Sequence, residues 1–298
     1  MKSSSLFLAA GLLAVLPLST SAKITRNVEK AFAVQPGGTF RAETSGGDIT
    51  VHSAPGDQVR IVARQTIRAK TEAEADEILA KLELTLEQQG NDVVAKAKYP
   101  GRGGFTFSGI WPPVSVSFEV TVPEQFHLDL RTSGGDIVAG NLQGKVAAHT
   151  SGGDVTLGRI DGEVQAHTSG GDIEVGGATG AVKLHTSGGD IEIGAVAATV
   201  DASTSGGDIQ ARFEGGPGAD CSFRTSGGDV DVEVGAAAAF RLDASTSGGD
   251  VKTRNLTVAV ESGGYGKSKL VGAVNGGGPV LKLRTSGGDI GVRAAGSR

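Results

Sequence analysis

HTSGGDIEVGGATGAVKL at residues 167–184 is followed at once by HTSGGDIEIGAVAATVDA at residues 185–202. The string TSGGD followed by Ile or Val begins at Thr44, Thr132, Thr150, Thr168, Thr186, Thr204, Thr225, Thr246 and Thr285. From Thr132 the steps are 18 residues four times, then 21, 21 and 39. A period near twenty residues is the mark of a solenoid, in which each repeat is one coil stacked on the last. The 39-residue step reads as two coils, one of which has lost the signature.

Within a coil the pattern is that of strands. Val164, Ala166 and Thr168 alternate with Glu163, Gln165 and His167, and Ile173 and Val175 alternate with Asp172 and Glu174. Alternation with β-branched residues is the half-buried strand pattern. The residue after the aspartate is aliphatic in all nine copies: Ile49, Ile137, Val155, Ile173, Ile191, Ile209, Val230, Val251 and Ile290. Stacking would turn these into a ladder through the core, with Leu142, Ile160, Ala178 and Val196 filling a further corner. The expected fold is all-β, a parallel β-helix or β-solenoid, right-handed by the chirality of parallel crossovers.

The two glycines of the signature suit a sharp corner, where backbone angles resisted by a Cβ are needed. The aspartates, Asp48, Asp136, Asp154, Asp172, Asp190, Asp208, Asp229, Asp250 and Asp289, read as structural corner residues accepting hydrogen bonds from turn amides. Stacked at ~4.8 Å they form a column of like charge, each neighbouring pair repelling by about 1 kcal/mol in water. Charge-assisted hydrogen bonds of ~1.5–3 kcal/mol each offset that cost. A calcium-stabilised repeat is the alternative, but one carboxylate per corner falls short of the six or more oxygens calcium takes.

His149, His167 and His185 fall on the outward parity, in a column continued by Arg131, Ser203, Arg224, Ser245 and Arg284. A position that accepts His, Arg and Ser alike reads as a solvated stripe rather than a metal site. HTSGGD is not a Ser-His-Asp centre either, because the three groups must converge from separate places and here they are copied along an axis. No catalytic, cofactor or metal residue is expected, and the chain reads as no enzyme.

Composition agrees. The 298 residues carry a formal net charge of −5 and 48 glycines without a G-X-Y period, so neither a nucleic-acid footprint nor collagen is indicated. Residues 1–22, MKSSSLFLAAGLLAVLPLSTSA, have the layout of a cleaved signal peptide. That leaves 23–298 as the mature domain, exported to the periplasm or the cell surface, with no transmembrane segment. The single Cys221 cannot form an intramolecular disulfide.

Residues 51–131 interrupt the repetition before the regular coils at 132–293. QVRIVARQTIRAK alternates as a strand; TEAEADEILAKL opens with a capping box at Thr71 and Glu74; LELTLEQQGNDVVAKAKY reads as a hairpin. A solenoid has exposed apolar ends, so this strand-helix-hairpin insertion is the expected N-terminal cap. Inside it, YPGRGGFTFSGIWPP gathers Tyr99, Phe105, Phe107 and Trp111, a candidate partner-binding loop unless the rings tuck against the cap or the first coil, the favoured reading.

The succession of ADEILAKLEL, TLEQQGNDVVAKAKYP, FEVTVPEQFHLDLRTSGGDI, running TSGGDI coils and VNGGGPVLKLRTSGGDI resembles the bacterial putative-adhesin β-strand-repeat family over residues 38–293. The resemblance implies an exported, adhesin-like, non-catalytic β-helical protein of a domain class without assigned function. Many members carry TSNGDI where this chain keeps Ser-Gly-Gly. An interaction scaffold for an envelope protein or a glycan is therefore expected, with a polysaccharide-binding or polysaccharide-active β-helix as the alternative. The latter would need clustered acids and sugar-stacking aromatics interrupting the ladder.

Overall fold

The computed structural model describes residues 23–100 and 112–295. The leader segment and Phe105, Phe107 and Trp111 lie outside the described residues. What is described is almost wholly β, with one short helix and two long sheets of 13 strands each.

Each coil gives one strand to each sheet. Val164–His167 lies in the second sheet, the TSGGD turn crosses over, and Ile173–Ala178 lies in the first; Val182–His185 and Ile191–Val196 repeat the move. Neighbouring coils pair in parallel and residue for residue, so that Ile173 lies between Val155 and Ile191, and Leu184 between Ala166 and Ala202. In-register stacking puts like on like, which is why the same offset in every coil is aliphatic. All nine signature Ile/Val residues are at most 1% exposed, and Leu142, Ile160, Ala178 and Val196 are buried beside them. Each such Val, Leu or Ile contributes ~1.5–3 kcal/mol relative to an exposed position.

At the N-terminal end the coil Thr39–Glu43 and Ile49–Ala54 pairs with the next coil at His127–Arg131 and Ile137–Ala139. The residues between leave this stack and extend both sheets outward. Asp92–Lys98 adds in parallel to Thr39–Glu43, with Glu83–Gln89 antiparallel beyond it. Val114–Pro123 adds in parallel to Ile49–Ala54, followed by antiparallel Gln58–Arg68 and Lys23–Ala33. The helix Glu72–Leu79 starts where Thr71 Oγ1 accepts the Glu74 amide at 3.2 Å. It buries Ala75 and packs Ile78 and Leu79 against the core. Strand Lys23–Ala33 was not anticipated: its sequence, KITRNVEKAFA, places charges through the run, and most of it is exposed at a sheet edge.

The C-terminal end departs from simple stacking. Ile290–Ala294 lies between Val230–Val234 and Val251–Arg254 in the first sheet. In the second, Val280–Arg284 lies between Cys221–Arg224 and Phe240–Ser245. The last coil, that of Thr285, is thus wedged between the coils of Thr225 and Thr246. The 39-residue step does not hold two coils. It holds one coil and an antiparallel hairpin, Val258–Gly263 with Lys269–Val274, laid against Phe240–Ser245.

Candidate functional site

The corner signature is consumed by bonds between coils. Eight of the nine signature threonine hydroxyls donate to the second-glycine carbonyl of the adjacent coil, as Thr150 to Gly135 (2.9 Å), Thr168 to Gly153 (2.8 Å) and Thr186 to Gly171 (2.8 Å), and Thr44, at the end of the row, donates to the Val116 carbonyl. The same hydroxyl accepts the amide of its own second glycine, Gly171 to Thr168 at 3.3 Å. The aspartates do not accept from their own turns, as the turn chemistry suggested. In every coil but the last in the stack, that of Asp250, Oδ1 accepts the backbone amide of the next aspartate along the stack, from Asp136 on Asp48 (3.1 Å) to Asp289 on Asp229 (2.7 Å) and Asp250 on Asp289 (2.8 Å). One amide per carboxylate, repeated eight times, offsets the repulsion within the column.

The glycines act otherwise than expected. None of the signature glycines lies in the left-handed region. The second glycine is needed for close approach: a Cβ on Gly171 would stand 2.2 Å from the Gly153 carbonyl oxygen, and one on Gly207 2.2 Å from that of Gly189. At the first position the nearest atom to a Cβ is 3.6 Å away at Gly170.

The histidine column is real. His149 and His167 stack with ring centroids 4.7 Å apart and planes at 11°, and His167 and His185 at 5.1 Å and 9°. In register, the column runs Arg131, His149, His167, His185, Ser203, Arg224, Arg284 and Ser245. Burial, then the flanking imidazoles His149 and His185, hold His167 below its ordinary pKa. Parallel rings direct their nitrogen lone pairs side by side rather than to one point. Among the described residues no group of three His, Cys, Asp or Glu is placed to hold a metal ion. No described histidine bonds to an aspartate; His185 Nδ1 instead meets Ser203 Oγ at 2.9 Å.

Of the aromatic loop, Tyr99 is described, half-buried and packed against the core. It lines a cleft of about 220 Å³ with Ser45, Arg68, Leu82, Pro112 and Val116. A second hollow, of about 320 Å³, was missed by sequence reasoning. It opens where Gly291 occupies an outward position between Asp231 and Lys252, and Arg254 and Arg293 also line it. Burial raises the Asp231 carboxyl above its ordinary pKa. The signal was the last signature, GDIGVR, where glycine stands at a position that is polar in every other coil except for Val138.

The family model described as Toastrack DUF4097 matches residues 41–293. No curated protein matches the chain. Among solved structures, one titled a putative adhesin from Bacteroides fragilis is 14% identical, with 91% of this chain and 97% of that chain covered and a TM-score of 0.45. A structure titled a putative lipid binding protein from Parabacteroides distasonis is 15% identical, with 89% and 96% covered and a TM-score of 0.43. Another titled a putative adhesin, from Parabacteroides merdae, is 10% identical, with 91% and 97% covered and a TM-score of 0.39.

Proposed function

We infer, from the premise that this chain belongs to the Toastrack DUF4097 family, that it is an exported, non-catalytic scaffold whose outward faces dock an envelope protein or a glycan. The carrying observation is that the repeated Thr, Gly and Asp are spent on coil-to-coil bonds, so the motif most suggestive of chemistry has a structural occupation. What remains variable from coil to coil is the outward side chains, the part a partner would read. A leader with signal-peptide layout supports export, to the periplasm or cell surface, and no described helix is long and apolar enough to cross a membrane. In this reading the solenoid is right-handed and the helix with its hairpin closes its N-terminal end.

The test is a pull-down from envelope fractions with the purified mature chain, alongside incubation with cell-wall and capsular glycans. Saturable envelope binding without released oligosaccharide is expected. Oligosaccharide release would move the chain to the polysaccharide-active class. A melting temperature that falls on chelation and recovers with calcium would instead favour the calcium-stabilised repeat.

A further inference from the structure

We propose that the outward column carrying Arg131, His149, His167, His185 and Arg224 is a docking strip for a linear anionic glycan, with affinity that rises as the imidazoles take up protons. This rests on the scaffold reading and gives its partner a chemistry.

The strip spans six adjacent coils of the second sheet, from Arg131 to Arg224 with Ser203 between His185 and Arg224. At a strand spacing of ~4.8 Å it is roughly 24 Å long. Every position in it is a cation, a latent cation or a hydroxyl. Arg131 is anchored by Asp129 at 3.1 Å, whereas Arg224 has no carboxylate partner among the described residues. Beside the column lies a shallow hollow of about 320 Å³, floored by Ala147 and Gln165 and walled by Arg131, His149 and His167, with Asp129 also at its edge, where Arg131 engages it at 3.1 Å. A small apolar floor beside an amide suits a sugar ring with its hydroxyls, and the wall of cations suits a carboxylate on that ring.

The charges around the imidazoles leave the strip's sign to the histidines. Next to Arg131 in the column itself stands Glu43, which Lys96 engages at 2.6 Å. One column over, Lys183 and Asp201 sit in register beside each other, and Asp129 is engaged by Arg131. Lys145 and Glu163, at the far end of the same strands, form their own pair at 2.8 Å. The aspartate ladder begins across the turn, on the first sheet. With the imidazoles neutral, the three central coils carry no charge in the column. With them protonated, three cations stand about 5 Å apart, each neighbouring pair repelling by roughly 1 kcal/mol in water. A polyanion laid along the column relieves that repulsion, so binding and protonation reinforce one another by linkage. A nucleic acid fits less well. Sequence-tolerant strand binding uses exposed rings as stacking platforms, and these imidazole faces are turned on one another.

The experiment measures binding of polygalacturonate, whose carboxylates stay charged throughout, by the full mature chain at pH 7.5 and 5.5. Neutral dextran and single-stranded poly-dT of similar length serve as comparators. Polygalacturonate affinity is expected to rise about tenfold at the lower pH, with proton uptake seen as a buffer-dependent binding enthalpy. The rise is expected to vanish in H149Q/H167Q/H185Q. Arg224→Gln should weaken binding several-fold at both pH values. The wild-type comparison stands whether or not the triple variant folds, and single His→Gln variants give graded losses. Dextran binding as tightly as polygalacturonate, no change with pH, or a rise that survives the triple variant would overturn the proposal. Tighter binding of poly-dT would overturn the glycan assignment. Envelope capture that persists at pH 7.5 alongside any of these leaves the scaffold reading standing, so the two fail separately.

Discussion

The backbone amide of Asp190 donates to Oδ1 of Asp172 at 2.7 Å, although both residues carry the same charge. The carboxylate is thus an acceptor for the next coil, and its charge both strengthens that bond and repels its neighbours. Asp172→Asn keeps the oxygen and removes the repulsion, so stability is expected to hold or rise slightly. Asp172→Ala removes the acceptor and is expected to cost about 1 kcal/mol, near the low end for an orphaned amide because the corner is solvated. Urea denaturation of the two variants separates these outcomes; equal losses would show that the charge matters more than the bond.

Gly170 and Gly171 are chemically identical and adjacent, yet only Gly171 has a backbone oxygen in its Cβ position. Gly171→Ala is expected to cost about 3 kcal/mol or more, since a stacked backbone cannot give way as a side chain can. Gly170→Ala meets ordinary contacts and is expected to change stability by no more than about 1 kcal/mol, in either direction. Thermal melts of the pair provide the check.

Thr168 is fully buried, with its hydroxyl donating to one glycine and accepting from another. Thr168→Val keeps the shape and strands both backbone partners, for an expected loss of about 1–3 kcal/mol. Thr168→Ser keeps the bonds and loses one methyl, for about 1 kcal/mol. A valine variant as stable as wild type would remove the hydroxyl from the account of the corner.

His167 titrates below the ordinary histidine range, chiefly because of burial and then because of His149 and His185. The folded state therefore binds fewer protons than the unfolded one as pH falls. Its contribution is full above the unfolded pKa of ~6.5 and is lost as pH drops through that value toward the lower folded one. Stability measured between pH 8 and 5 is expected to decline in the acidic half, and less so in His167→Gln. An identical pH profile for the two proteins would refute the assignment.

Much of the coil was legible because parallel, in-register stacking repeats one chemical demand at one offset. The nine-fold Ile/Val position and the column of His149, His167 and His185 follow from counting alone. What counting could not supply is adjacency. Thr225, Thr246 and Thr285 carry the same signature, and nothing in it says which coil lies beside which. The antiparallel hairpin after Val258 shares the alternation of a coil and so passed for one. The role of Gly171 was also hidden, because a corner glycine and a close-approach glycine look the same on paper. The aromatic run around Tyr99 suits either a binding loop or rings tucked against the cap, and the Tyr99 ring packs on the core beside a small cleft.

The wedged terminal coil has a temporal consequence. A ribosome delivers Val230 and Val251 well before Ile290, yet Ile290 belongs between them. Growth from the N-terminus can proceed turn by turn as far as Thr225, and then must wait with a slot held open. Both walls close only once residues 280–294 are inserted, so a chain cut short before residue 280 would be left with a gap in each.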